Sequence, residues 1–358
     1  MSHNRHTQKG RLVATALAGS WRAEAPPAIA LDESELNEVT PLLCGSGAAG
    51  LGWSRIRATR LRDTSSAAVL QQSFRLLALQ SAIAEEKLVK VFRAFRQSSI
   101  PLVLAKGWAA AQFYPDSAIR PHGDMDLLVA PADYKRAVEL AENPQLSDCW
   151  IDLHKSFPEL EERRVDSLFE RSSLIELNHE PIRVLGAEDH LALIAIHLLK
   201  HGAWRPLWLC DVAAVLESLP TDFSWELCLG NRPNRARWIT TTIALAHRLL
   251  SADAGSFPFV EEVKRLPEWV SVSVLQQWSA PFAVNQPPLS HSAPISSYLG
   301  KPWGILAALG ERWPNPILAT ISVNGEFNSL PRLPYQLGNC ALRMGQVMRR
   351  FASRSHST

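Results

Sequence analysis

Two carboxylates stand two residues apart at the head of an apolar run, Asp124 and Asp126 before Leu127-Leu128-Val129. Side chains along a strand alternate between faces, so Asp124 and Asp126 project from one face while Met125 and Leu127 point to the other. Two adjacent carboxylates repel each other, and a hard divalent cation bound through oxygen, Mg²⁺ or Mn²⁺, relieves that repulsion. The spacing alone is cheap. With 35 acidic residues in 358, roughly three such pairs arise by chance, the false-positive risk of any short motif. Glu33/Glu35 and Glu159/Glu161 are background of this kind. Context sets Asp124/Asp126 apart: an apolar strand from Leu102 to Ala105, a Lys106-Gly107 turn opening a helix, then the pair running straight into a second strand.

The elements that must position this pair follow from periodicity. Ile100–Ala105 and Asp124–Val129 read as strands, Gly107–Tyr114 as a helix, and Ala132–Glu142 as a helix with Pro131 near its N-terminus. Cys149 to Lys155 alternates, with Trp150, Asp152 and His154 on one face and Ile151 and Leu153 on the other. Asp152 is therefore a candidate third carboxylate. Leu174–Leu177 and Ile182–Leu185 flank Asn178-His179-Glu180-Pro181 as a hairpin closing the sheet. This alternation predicts an α/β (α+β) core over residues 99–186.

Helical regions are expected on both sides. Residues 1–30 lack sustained periodicity and are read as flexible; 31–98 are read as helical, with Leu70, Phe74, Leu77, Ala84, Leu88, Phe92 and Phe95 striping one long helix and a candidate break near Ser81. Residues 187–278 are mainly α, from the helix opened by Glu188-Asp189 through Leu207–Ser218, Arg235–Leu250 and Val260–Trp278. In 279–358, a Pro- and Ser-rich linker to about 303 precedes a poorly patterned remainder.

Composition bounds the function. At 46% hydrophobic and 20% charged, the chain has the balance of a soluble protein with a sizeable core. Five scattered cysteines with no Cys-x-x-Cys argue against a disulfide framework and a zinc site, and predict a reducing, cytoplasmic setting. A net charge of +2 provides no global field to recruit nucleic acid, and the basic stretches at the two termini are read as disordered or solvated. No apolar segment is long enough to predict membrane spanning or secretion.

At these residues the chain resembles the nucleotidyltransferase superfamily of the DNA polymerase β type. More closely, it is similar to a family of largely uncharacterised bacterial nucleotidyltransferases. The resemblance is carried by Leu104-Ala105-Lys106-Gly107, Tyr114-Pro115, Arg120-Pro121-His122-Gly123-Asp124-Met125-Asp126-Leu127-Leu128-Val129, Ile151-Asp152-Leu153-His154 and HLLKHGAWRPLWLCDVAAVL from His197. It covers roughly residues 40–220. The resemblance implies a polymerase-β-like core with a mixed sheet and transfer of NMP from an NTP to a hydroxyl of a small molecule or protein, releasing pyrophosphate. In it Asp124, Asp126 and Asp152 hold metal, Asp152 on the acceptor side, where it helps deprotonate the hydroxyl. Lys106, Gly107 and Arg120 are then expected to contact the triphosphate, with Lys200 as a further nucleotide-binding candidate. Two positions depart from the pattern: Trp108 stands where the superfamily has a small residue after the glycine, and Lys155 where the family has Trp. Lys106 and the backbone amides at the start of the helix that follows it are expected to compensate for the first.

Other residues keep two readings. His154 is read as contacting substrate or satisfying a core hydrogen bond; His197, Lys200 and His201 as nucleotide contacts or as complements to a helix C-terminus; Asp211 as a buried partner of a basic residue or a site residue. The four-residue spacing of His197 and His201 suits a transition metal, whereas the oxygen-rich pair calls for Mg²⁺. Two alternatives to a small-molecule or protein transferase stand beside it: a toxin–antitoxin-type transferase acting on protein or tRNA, and a catalytically silent binding or scaffold protein, since fold does not determine function.

Overall fold

The structure, a computed structural model, describes residues 2–24, 26–255, 257–258, 260–280 and 313–354. Its chain order begins with α1 (Ser2–Leu17), α2 (Glu33–Ser46), α3 (Ala49–Ile56) and α4 (Ser65–Gln97). The sheet region follows as β1 (Leu102–Ala105), α5 (Gly107–Ala111), β2 (Met125–Val129), α6 (Tyr134–Ala141), β3 (Ile151–His154), α7 (Val165–Glu170), β4 (Ser173–Leu177) and β5 (Glu180–Val184). The helical half contains α8 (Ala187–Lys200), α9 (Pro206–Leu216), α10 (Trp225–Leu229), α11 (Pro233–Leu250), α12 (Val260–Lys264), α13 (Glu268–Trp278), α14 (Pro316–Ser322) and α15 (Leu333–Arg354).

Five strands form one mixed sheet in the order β3-β2-β1-β5-β4. β1 and β2 are antiparallel with Ala105 opposite Asp126, and β2 and β3 are parallel with Asp126 opposite Asp152. β1 and β2 are buried along their whole length, so period-two alternation sorts their side chains between two cores. Leu102, Leu104, Met125, Leu127 and Val129 pack with Leu88, Phe92 and Phe95 of α4. Val103, Ala105 and Leu128 turn to the opposite face and join the large core built on α8, α9 and α11. Asp126 shares that second face, which is where the sheet meets the helical half. The β4–β5 hairpin turns through Asn178 and His179, both at positive φ, a two-residue turn shorter than the four-residue loop read from the sequence, with Pro181 inside β5.

Four expectations are corrected. The segment read as flexible, residues 1–30, contains helix α1, whose Val13, Ala16 and Leu17 are buried. It packs on α13 so closely at Gly10 that a Cβ there would lie 2.0 Å from the Leu275 carbonyl oxygen. α4 runs unbroken through Ser81, itself buried. Val260–Trp278 is two helices, α12 and α13, interrupted before Pro267, where proline removes an amide donor. The C-terminal stretch read as unpatterned contains α14 and α15, and Asn315 at the start of α14 ties it to the body by donating to the Gly202 carbonyl at 3.2 Å. The Pro/Ser-rich linker read over 279–303 lies, beyond Ala280, outside the described residues. Among the described residues no helix is long and apolar enough to cross a membrane.

Candidate functional site

β1 ends at Ala105, and both residues that follow take positive φ, Lys106 at 53° and Gly107 at 42°. Positive φ is costly for a residue with a side chain and is often found at functional sites. The turn brings Lys106 back over the sheet, where its Nζ lies 2.6 Å from Asp126 Oδ1. Phe157 lies close to both neighbours of that carboxylate, its ring 5.9 Å from Lys106 Nζ and 4.9 Å from the His154 ring.

The parallel register of β2 and β3 sets the next contact. Asp126 and Asp152 are direct partners, and His154 Nε2 lies 3.1 Å from Asp126 Oδ1 and 3.2 Å from Asp152 Oδ2. One ligand atom from each of Asp126, Asp152 and His154 falls within 4.8 Å of the other two. Asp126 is buried, His154 half-buried and Asp152 exposed. Burial pushes the Asp126 carboxyl up, but the His154 hydrogen bond and the Lys106 charge outweigh it and hold the group below the usual carboxylate range. An ionised carboxylate, a second one opposite it and an imidazole nitrogen fit a divalent cation: the oxygens suit Mg²⁺, and the nitrogen is also acceptable to Mn²⁺. Asp124 sits on the exposed bend before β2, outside this close group, and lines the same cavity.

That cavity has a volume of about 650 Å³, within the range of small-ligand sites. Its sheet wall carries Lys106, Gly107, Asp124 and Asp126; the opposite wall comes from α8 and α9 through His197, His201, Arg205 and Trp208. Arg120 also lines it, but its guanidinium is engaged. Nε and Nη2 donate to the two oxygens of Asp211 at 3.0 and 2.5 Å, Nη1 donates to the Pro121 carbonyl at 2.8 Å, and Tyr114 Oη donates to Asp211 Oδ1 at 2.9 Å. Burial opposes the Arg120 charge and Asp211 more than restores it, leaving the pKa raised. Asp211 is thus a buried partner of Arg120.

Arg205, which sequence reasoning did not single out, is the cavity cation that has no carboxylate within salt-bridge distance among the described residues. Its Nε donates to the Ser46 carbonyl at 2.9 Å, and its guanidinium lies 5.5 Å from the Trp208 ring. Burial and the Arg120 charge lower its pKa to about 10, which leaves it cationic at neutral pH. The available signal was its place before Pro206 in the turn between two helices. His197 and His201 pack with their rings tilted by 49° and their centres 4.5 Å apart, with Trp208 edge-on to both.

Lys200 is not brought to this cavity. Its Nζ lies 3.6 Å from Glu159 Oε1, and it lines a separate depression with Arg232 and Arg235. Glu159, read as background, is buried; the costs of burial are overcome by His197 and Lys200, which bring its pKa to about 2. The two departures from the expected pattern also point elsewhere. Trp108 is buried and donates to Glu85 Oε1 at 3.0 Å, and Lys155 Nζ lies over the Tyr134 ring at 4.4 Å.

The mixed sheet thus carries carboxylates on adjacent strands and faces the helical half across the cavity. The family described as uncharacterised nucleotidyltransferase matches residues 32–144 and 142–251, and the chain belongs to that family. Membership supports nucleotidyl transfer as the general role. No curated protein and no solved structure matches the chain.

Proposed function

We propose that the protein is an Mg²⁺- or Mn²⁺-dependent nucleotidyltransferase that moves NMP from an NTP to a hydroxyl of a small molecule or protein. The observation that carries this reading is the pairing of Asp126 with Asp152 across β2 and β3, bridged by His154, with Asp126 on the wall of a cavity that also carries Lys106 and, opposite, Arg205. In the reaction the acceptor oxygen attacks the α-phosphorus in line, the α–β phosphoanhydride bond breaks and pyrophosphate departs. Asp126 and Asp152, with Asp124 on the wall of the same cavity, would hold a divalent cation, which would supply charge neutralisation and a more acidic acceptor hydroxyl. His154 bridges the two facing carboxylates and would offer its ring nitrogen to the same ion, and Asp152, the exposed one, would take the acceptor proton. Arg205 and Lys106 bind phosphate oxygens, with Gly107 leaving the backbone bare beside them; Arg120, tied to Asp211, contributes through position.

One observation favours a silent scaffold: the Lys106 ammonium lies against the same Asp126 oxygen that a cation would use. A thermal-shift screen of the four NTPs with Mg²⁺ or Mn²⁺ on the wild type and on Asp124→Ala plus Asp126→Ala decides between them. Metal-dependent stabilisation by an NTP that the double variant loses supports the enzyme. An identical response in both, or none in either, sinks the metal–nucleotide site. Transfer of labelled α-phosphate into a lysate then identifies the acceptor.

A further inference from the structure

A second, smaller cleft of about 230 Å³ adjoins the main cavity where α4 passes the head of β2, the space of roughly eight waters at liquid density. Its apolar walls are Ile83 and Ala84 of α4 and Met125 of β2, and Gln80 adds an amide that can both donate and accept. Lys87 Nζ, also in the lining, is held by the Asp148 carbonyl at 2.7 Å. Met125 is the strand neighbour of Asp126 and faces the other side of the sheet, so one strand's thickness separates the cleft from the carboxylates.

Two features join the spaces. His122, Gly123 and Trp150 line both, and Gly123 presents bare backbone beside the Trp150 ring, where a Cβ would lie 3.6 Å from the ring atoms. Trp150 is 72% exposed and Ile83 46% exposed, so a large aromatic face and an apolar side chain stand open to solvent at the edge of a polar cavity. An indole face beside an apolar slot, with an amide at hand and a cavity carrying Lys106 and Arg205 next door, has the composition of a nucleobase site.

We propose that this cleft receives the purine base of the NTP, stacked on Trp150, while the phosphates lie in the main cavity and the ribose crosses the Gly123 edge. This assignment rests on the nucleotidyltransferase reading above. A bicyclic base covers more of the indole than a single ring does, which selects ATP and GTP over CTP and UTP, and Gln80 meets the polar edge of the base.

Isothermal titration of the full chain with Mn²⁺ present tests this with ATP, GTP, CTP, UTP and inorganic tripolyphosphate, the last carrying the phosphates without a base. The wild type is expected to bind ATP and GTP more tightly than CTP, UTP or tripolyphosphate. Trp150→Ala weakens purine nucleotide binding about tenfold, in the range for loss of one base–aromatic stack, leaves tripolyphosphate unchanged, and Trp150→Phe restores most of the loss. Ile83→Arg, another exposed position, fills the cleft and gives the same selective loss. If Trp150→Ala and Ile83→Arg bind ATP as the wild type does, or if ATP binds no more tightly than tripolyphosphate, the base site is wrong and the transferase reading stands. Equal binding of all four NTPs overturns the purine assignment. Binding of neither NTP nor tripolyphosphate overturns both.

Discussion

Lys106 Nζ and Asp126 Oδ1 are 2.6 Å apart, an ion pair formed on the carboxylate to which we assign metal binding. The ammonium and a divalent ion compete for the same oxygen. Lys106→Met is therefore expected to tighten Mn²⁺ binding several-fold in an EPR titration while lowering nucleotide turnover. Unchanged or weaker Mn²⁺ affinity would show that the pair is not in competition with metal.

Asp152 separates chemistry from stability. Its carboxylate is exposed, with His154 as its ion-pair partner, and surface substitutions of this kind change stability by about 0.5 kcal/mol or less. Asp152→Asn should leave the melting temperature within about 2 °C of the wild type and reduce Mn²⁺ affinity and transfer by at least about tenfold. A large drop in melting temperature, or intact transfer, would contradict its assignment as a ligand.

Arg120 and Asp211 behave in the opposite way. They are 5% and 2% exposed and doubly bonded, so removing one charge strands the other. Asp211→Asn is expected to cost about 3–5 kcal/mol in urea unfolding, whereas Tyr114→Phe, which removes one hydrogen bond to the same carboxylate, costs about 1 kcal/mol. Equal effects of the two would mean that the charge pair carries no special weight.

His190 contributes an acid-sensitive element. It is 3% exposed, its Nε2 has no hydrogen-bond partner among the described residues, and burial first, with the Arg120 charge, lowers its pKa to about 4 against the attraction of Asp211. Between its ordinary pKa of 6.5 and about 4 the unfolded chain takes up a proton that the folded chain refuses. Stability from this group is full above pH 6.5, falls as the pH drops through that window and levels off below it, a span of about 3 kcal/mol. His190→Leu should flatten the fall in urea midpoint between pH 7 and 4 by about that amount; an unchanged slope would assign the acid sensitivity to other groups.

What could be read from the chain was what adjacent residues determine. The alternation of Trp150, Asp152 and His154 placed two future partners on one face of a strand, and the apolar run after Asp126 located β2. Two things lay beyond local pattern. The engagement of Arg120 was decided by Asp211 on α9, and the far wall of the cavity, with Arg205 and Trp208, exists only once α8 and α9 fold over the sheet. α1 was misread for a related reason: its short buried stripe of Leu12, Val13, Ala16 and Leu17 acquires meaning from α13, a helix far along the chain on which it packs.

The ladder between β2 and β3 makes the site indifferent to one kind of change and intolerant of another. Asp126 faces Asp152 because two backbones are hydrogen-bonded in step, so the segment between them, including α6, can lengthen or shorten without moving either carboxylate. The loss of Leu153 alone would instead set Asp152 and His154 on opposite faces of the sheet. Over evolutionary time the crossover is therefore free to drift in length, while the strands themselves admit substitutions but no change of count.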